Sequence, residues 1–224
     1  MDLYLSPLSC SLAAHIALRE AGLPVRTLRV DRKTKLLDDG SEYRAIAPQG
    51  IVPAIRLDDG AVLTESAAVL QYIADQVPEK KLAPPWGSRE RYRLVEWMNF
   101  CSTELHKKHL WTVFSTKVPE ASRAWAREGA GVPLAYVASH LEKSTWLLGD
   151  DFTVADIYLF WCLLVAPHGG VSLDAWPVLK AYADRVQARP ASAAALAVEF
   201  PLWQQEQARN AASAAAAAPA ARES

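Results

Sequence analysis

None of the eight tryptophans of this 224-residue chain falls in its first 85 positions; they run from Trp86 to Trp203. The change coincides with Pro78, Lys80-Lys81, Pro84-Pro85 and Gly87, a cluster of breakers that neither a helix nor a strand accommodates in its interior. A composition shift at a breaker cluster reads as a boundary between two folding units. We therefore divide the chain into residues 1–79, a linker over 80–87, a second unit over 88–203 and an Ala-rich tail over 204–224.

Within the first unit, Leu3-Tyr4-Leu5 and Val25 to Val30 have strand character and flank a helical stretch, Ser11 to Ala21, that Gly22 and Pro24 end. The polar stretch Asp31 to Ala45 follows, then a hairpin: Val52 to Leu57, the turn Asp58-Asp59-Gly60, and Ala61-Val62-Leu63. A helix over Glu65 to Ala74 closes the unit. The order βαβαββα predicts a small mixed sheet with helices packed on it, as in a thioredoxin-like domain. Beyond the linker no strand pattern appears, and Arg89 to Lys108, Pro133 to Leu147, Val154 to Val165 and Val178 to Ala188 carry helical spacing. The expected class is α+β followed by an all-α domain. Ala211 to Ala220, broken by Ser213 and Pro219, has no large apolar residue to dock with, so the tail is expected to be disordered.

Charge narrows the function. Lys plus Arg number 24 against 25 Asp plus Glu, a net charge of -1 that gives no basic surplus for nucleic acid or anionic lipid. The most apolar stretch, Ile157 to Pro167, is far shorter than the ~20 residues of a membrane helix, and Met1-Asp2-Leu3-Tyr4 lacks a basic leader. A cytoplasmic location without membrane contact is expected. Cys10, Cys101 and Cys162 are an odd, widely spaced set, unsuited to a disulfide framework or a CxxC zinc site.

Five patterns carry candidate chemistry. Cys10 lies between the first strand and the first helix, where unpaired N–H groups and the helix dipole favour a thiolate; the alternative is an inert buried cysteine. With Ser11-Leu12-Ala13 after it there is no resolving cysteine, so any redox chemistry is monothiol. Pro53 at the head of the hairpin marks an edge or a cis bond, and a cis bond would leave the Val52 N–H and C=O to pair with a peptide-like ligand. Thr64-Glu65-Ser66 is either a helix cap or a site for the ammonium and carboxylate of an amino acid. Asn99, Thr103 and His106 recur at i, i+4 and i+7 and are expected on one face, as a binding face or a solvated one; His106, His109 and Glu104 are not spaced as a metal site. Thr153 and Asp156 form a capping box, stapled by Phe152 and Ile157, with a structural role.

The chain resembles the cytosolic glutathione transferases, and among them the bacterial beta class, from Met1 to about Trp203. Ser9-Cys10-Ser11-Leu12-Ala13, Pro48-Gln49-Gly50-Ile51-Val52-Pro53-Ala54, Leu63-Thr64-Glu65-Ser66, Thr103-Glu104-Leu105-His106-Lys107 and Phe152-Thr153-Val154-Ala155-Asp156 carry the resemblance. It implies a glutathione-binding thioredoxin-like domain, a helical domain covering a pocket for a small hydrophobic electrophile, and a homodimer. Glutathione enters as co-substrate, with no permanently bound cofactor and no metal. By this resemblance Cys10 faces the glutathione sulfur and is catalytic with His106. Lys35 and Val52 hold the middle and glycyl end, Glu65 and Ser66 the γ-glutamyl end, and Asn99, Thr103, Glu104, Leu105, His106 and Lys107 reach in from the helical domain. Leu5 stands where relatives often carry an aromatic residue, and Tyr4 points to the opposite strand face. The implied activity is conjugation, with thiol–disulfide exchange through Cys10; the rival is a ligand-binding or stress-regulatory protein on the same fold.

Overall fold

The structure, a computed structural model, describes residues 1–217. Strands β1 (Asp2–Leu5), β2 (Arg26–Arg29), β3 (Ala54–Arg56) and β4 (Val62–Thr64) form one sheet in the order β2-β1-β3-β4. β1 runs parallel to β2 and antiparallel to β3, with Tyr4 opposite Ala54. Helix α1 (Ser11–Ala21) makes the β1–β2 crossover, and α2 (Ser66–Asp75) follows β4. The period of two along β1 decides what each face sees: Leu3 and Leu5 point into the main core, while Tyr4 lies under the opposite face with Val30, Tyr43, Ala47 and Ala54. Asp2 pins the sheet laterally, accepting from the guanidinium groups of Arg26 on β2 and Arg56 on β3.

The helix expected between β2 and β3 is a single 3-10 turn, Tyr43–Ala45. Side-chain acceptors take over the backbone there: the Asp31 carboxylate receives the N–H groups of Lys33 and Thr34, and Asp39 that of Ser41.

The helical part comprises α3 (Arg89–Phe100), a π-helical segment (Cys101–Leu110) that runs on into α4 (Trp111–Phe114), then α5 (Glu120–Gly129), α6 (Gly131–Leu141), α7 (Val154–Val165), α8 (Pro177–Gln187) and α9 (Pro190–Ala217). α7 is the central helix, buried at every position but Leu164. Its start is fixed by Thr153, whose Oγ1 accepts from Ala155 N–H at 3.3 Å, and by Asp156, whose Oδ2 accepts from Thr153 N–H at 2.8 Å. Asp156 Oδ1 also takes the Leu147 N–H and the Tyr182 hydroxyl, so one buried carboxylate joins three segments. This explains why the helix predicted over 133–147 ends at Leu141: the Leu147 N–H donates to Asp156, not to a helix carbonyl.

α1 is apolar on nearly all sides because it packs against the sheet, α2, α7 and α9. Across the segment from Lys81 to Ser88, the buried Arg91 donates to both Asp75 oxygens, to Gln71 Oε1 and to Pro84 O, with its guanidinium over the Trp86 ring. The 204–224 tail is not disordered throughout, as expected from its composition: α9 continues as helix to Ala217, because alanine is the best helix former even where it cannot dock. The remainder of that tail lies outside the described residues.

Candidate active site

Cys10 occupies the N-cap position of α1, between the β1 turn and the first helical residue. Its Sγ–H donates to Val52 O at 3.0 Å, and the Val52–Pro53 bond is cis. The expectation of a free Val52 carbonyl and a Cys10 thiolate is therefore corrected. Burial pushes the Cys10 thiol above its ordinary value, and the Lys107 ammonium, the Ser66 hydroxyl and the Arg32 guanidinium only partly offset this. A protonated thiol and a carbonyl acceptor satisfy each other. The Val52 N–H has no partner among the described residues.

The turn carrying Cys10 is held from the helical side. Leu8, at φ 54, donates its N–H to Glu199 Oε2 of α9 at 2.8 Å and accepts the Trp161 indole N–H of α7 at 3.3 Å. Glu199 Oε1 meets His15 Nδ1 at 2.8 Å. Arg19 donates to His15 Nε2, so Nδ1 is the nitrogen that donates to Glu199. Ser11 is spent internally: its Oγ donates to Ser6 O, accepts the Ser6 N–H and meets Ser9 Oγ.

Glu65 and Ser66 follow β4 directly. Thr64-Glu65-Ser66 does not act as a helix cap: Glu65 sits at the N-cap position without a side-chain cap bond. Its φ is 68, a left-handed conformation unfavourable for a residue with a Cβ. An exposed carboxylate on such a backbone is displayed at the helix N-terminus, and strained conformations of this kind cluster at ligand clamps. Ser66 beside it is buried, and its hydroxyl is among the groups that lower the Cys10 thiol against its burial. Lys35, at φ 61, is half-buried; burial first, then the charges of Arg44, Lys117 and Arg32, depress its ammonium. This cluster of cations suits a carboxylate.

The long helix divides its residues differently from the spacing. Asn99 and Thr103 are exposed, Thr103 Oγ1 donating to Asn99 O, whereas His106 is buried with Nδ1 at 2.8 Å from the Tyr158 hydroxyl. The i, i+4, i+7 rule assumes 3.6 residues per turn, and the wider π-helical turn over Cys101–Leu110 breaks it. Glu104 pairs with Lys108 at 2.9 Å, and Leu105 lies in the core, so neither side chain faces Cys10. His106 is held down at about 3 by burial and by Lys107, and its ring meets the Trp161 edge at 4.6 Å. It is a neutral hydrogen-bonding group, unsuited to carrying a proton at neutral pH.

The structure thus gathers Cys10, Val52, Ser66 and Lys107, with Glu65 adjacent and the Arg32 charge felt by both Cys10 and Lys35. It places Asn99, Thr103 and Glu104 on the outer side of the helix. Arg32, Trp161 and Glu199 escaped sequence reading. A lone acid in the apolar run Ala195-Leu196-Ala197-Val198-Glu199-Phe200 is the signal that could have pointed to Glu199.

Residues 9–76 match the family model for the glutathione S-transferase N-terminal domain, and residues 100–190 that for the C-terminal domain. The chain belongs to the glutathione S-transferase family. It is 40% identical over 199 residues to the glutathione S-transferase GstA of Escherichia coli O157:H7, covering 89% of this chain and 98% of that one. A ternary complex of the bacterial glutathione S-transferase BphK superposes with a TM-score of 0.87 at 45% identity, over 89% of this chain and 100% of that one. The beta-class enzyme of Sphingomonas chungbukensis gives a TM-score of 0.86 at 40% identity, over 89% and 98%. Thioredoxin-like and helical domains in this family arrangement are thereby established for the chain. No helix among the described residues is long and apolar enough to cross a membrane.

Proposed function

We propose that this glutathione S-transferase binds glutathione at the end of the sheet formed by Cys10, Val52 and Glu65-Ser66 and adds its sulfur to a small hydrophobic electrophile. The observation that carries this is the Cys10–Val52 contact at the α1 N-terminus, beside the Ser66 hydroxyl and the Lys107 ammonium. The Val52 N–H offers a peptide ligand a strand-like bond, and Glu65 with the α2 N-terminus offers an ammonium and a carboxylate opposite charge. Lys35 receives the glycyl carboxylate.

In conjugation, the glutathione S–H loses its proton to solvent, its sulfur forms a bond to the electrophilic carbon, and the leaving group departs with the displaced electron pair. Helix-terminal N–H groups and Lys107 stabilise the thiolate as it forms. In exchange, deprotonated Cys10 attacks one sulfur of oxidised glutathione; the S–S bond breaks, a mixed disulfide forms and a glutathione thiolate leaves. A homodimer accounts for the exposed Asn99 and Thr103 and for Glu104, which a second copy would cover. Three free thiols suit a reducing, cytoplasmic setting.

Glutathione-dependent turnover of a generic aryl halide by the purified protein tests the reading. Turnover above the uncatalysed rate is expected. Calorimetric binding of glutathione without turnover would instead make the chain a ligand-binding member of the fold.

A further inference from the structure

The match to the C-terminal family model ends at residue 190, where α9 begins, so the later turns of α9 lie outside it. Those turns carry Glu206, which meets Arg32 beyond β2. Glu206 Oε1 lies 3.7 Å from Arg32 Nε, with the Glu206 side chain nine-tenths buried. Its Oε2 has no hydrogen-bond partner among the described residues. A buried carboxylate without direct hydrogen bonds is costly in a purely structural role. Arg32 Nη2 in turn donates to Pro7 O, three residues before Cys10. The Asp31 carboxyl is held below its usual range by the Thr34 N–H first, then by the Lys33 N–H, the Thr34 hydroxyl and Arg209. These bonds fold the loop that presents Lys35.

We infer that Glu206 is a positioning residue for the glutathione site, through which the late turns of α9 strap together two site-forming segments, Pro7 to Cys10 and Asp31 to Lys35. The inference rests on the proposed glutathione binding. Glu206 acts through its partner: it sets the Arg32 guanidinium against the Pro7 carbonyl, and Arg32 follows Asp31, whose carboxylate shapes the turn leading to Lys35. Loss of the strap therefore weakens ground-state binding of glutathione and leaves the bond-forming step intact.

The test compares the full-length protein with Glu206→Gln, Glu206→Asp and Arg32→Gln by hydrogen exchange and by steady-state kinetics. Expected in Glu206→Gln is faster exchange over residues 6–10 and 31–37. The KM for glutathione should rise about two- to fivefold, the range for a partly exposed ion pair, at unchanged kcat. Glu206→Asp should recover most of the KM. Should Glu206→Gln not fold, Arg32→Gln breaks the same contact from its more exposed side and carries the exchange test over residues 6–10 and 31–37. Unchanged exchange overturns the strap, and faster exchange with an unchanged KM overturns its role in glutathione binding. A wild type that binds glutathione without turnover counts against the transferase reading alone, and a calorimetric Kd then replaces KM in judging the strap.

Discussion

The Cys10 thiol donates to the carbonyl of Val52, 3.0 Å away, so the group expected to be most reactive is tied up as a protonated donor. The contact closes the gap between the α1 N-terminus and the segment leading into β3, where a peptide ligand would pair. A ligand that pairs with Val52 competes with the cysteine for one carbonyl.

The titration of Cys10 should report this. Burial raises the thiol above its ordinary value of 9.0, with Lys107 the largest opposing influence. A raised value means a protonated thiol at neutral pH and a thiolate only in more alkaline solution. The rate of iodoacetamide modification of Cys10, followed by peptide mass, should still be climbing with pH at pH 9 without a plateau, and Lys107→Gln should move the plateau to higher pH. A plateau reached below pH 8 would contradict the assignment.

Glu65 is displayed on a left-handed backbone and makes no cap, so its carboxylate is assigned to the γ-glutamyl ammonium. Glu65→Gln should weaken glutathione binding by about 1–3 kcal/mol, the range for losing a charged hydrogen bond. Titration calorimetry reads this directly. An unchanged affinity in a folded variant would remove Glu65 from the site.

Thr153 and Asp156 serve folding. Thr153→Ala should lower stability by about 0.5–2 kcal/mol. Asp156→Ala should cost more, about 3–5 kcal/mol, because the Leu147 and Thr153 N–H groups and the Tyr182 hydroxyl lose a buried acceptor. Denaturant melts measure both, and turnover per folded molecule should survive in each.

The capping box was legible because its signal is local: a hydroxyl, an acid three residues on, and an apolar run. The same locality located the βαβ unit, the hairpin and α7. Cys10 was placed correctly at a helix start, but its protonation depends on burial under Lys107, Ser66 and Val52, groups distant in sequence. His106 failed for a different reason, since its pattern was read at 3.6 residues per turn and the backbone over Cys101–Leu110 is π-helical. The turns of α9 around Glu206 were not legible in this way, because their contact to Arg32 runs through charge between positions far apart in sequence.

Asp2 ties β1 to both neighbours, and its carboxyl is lowered to about 2, chiefly by the Arg26 hydrogen bond and also by Arg56, against partial burial. A folded value below the unfolded value of about 3.9 means that the stabilisation is complete above that pH and is lost as pH falls through about 2. Both arginines are substantially exposed, so solvent screening reduces the contribution to about 1 kcal/mol. Asp2→Asn should lower stability by that amount at pH 7, with the difference vanishing toward pH 2 in urea melts.

The central claim is a division of labour: the sulfur that attacks the electrophile belongs to glutathione, while Cys10 serves exchange. The most direct measurement is a side-by-side assay of wild type and Cys10→Ala, with aryl halide conjugation and reduction of a glutathione mixed disulfide as the two readouts. Exchange should be abolished, together with the glutathione adduct that intact mass detects on wild type after treatment with oxidised glutathione. A substantial part of conjugation should remain. Loss of both activities in a variant that still binds glutathione would make Cys10 the activator of the bound thiol and contradict the account.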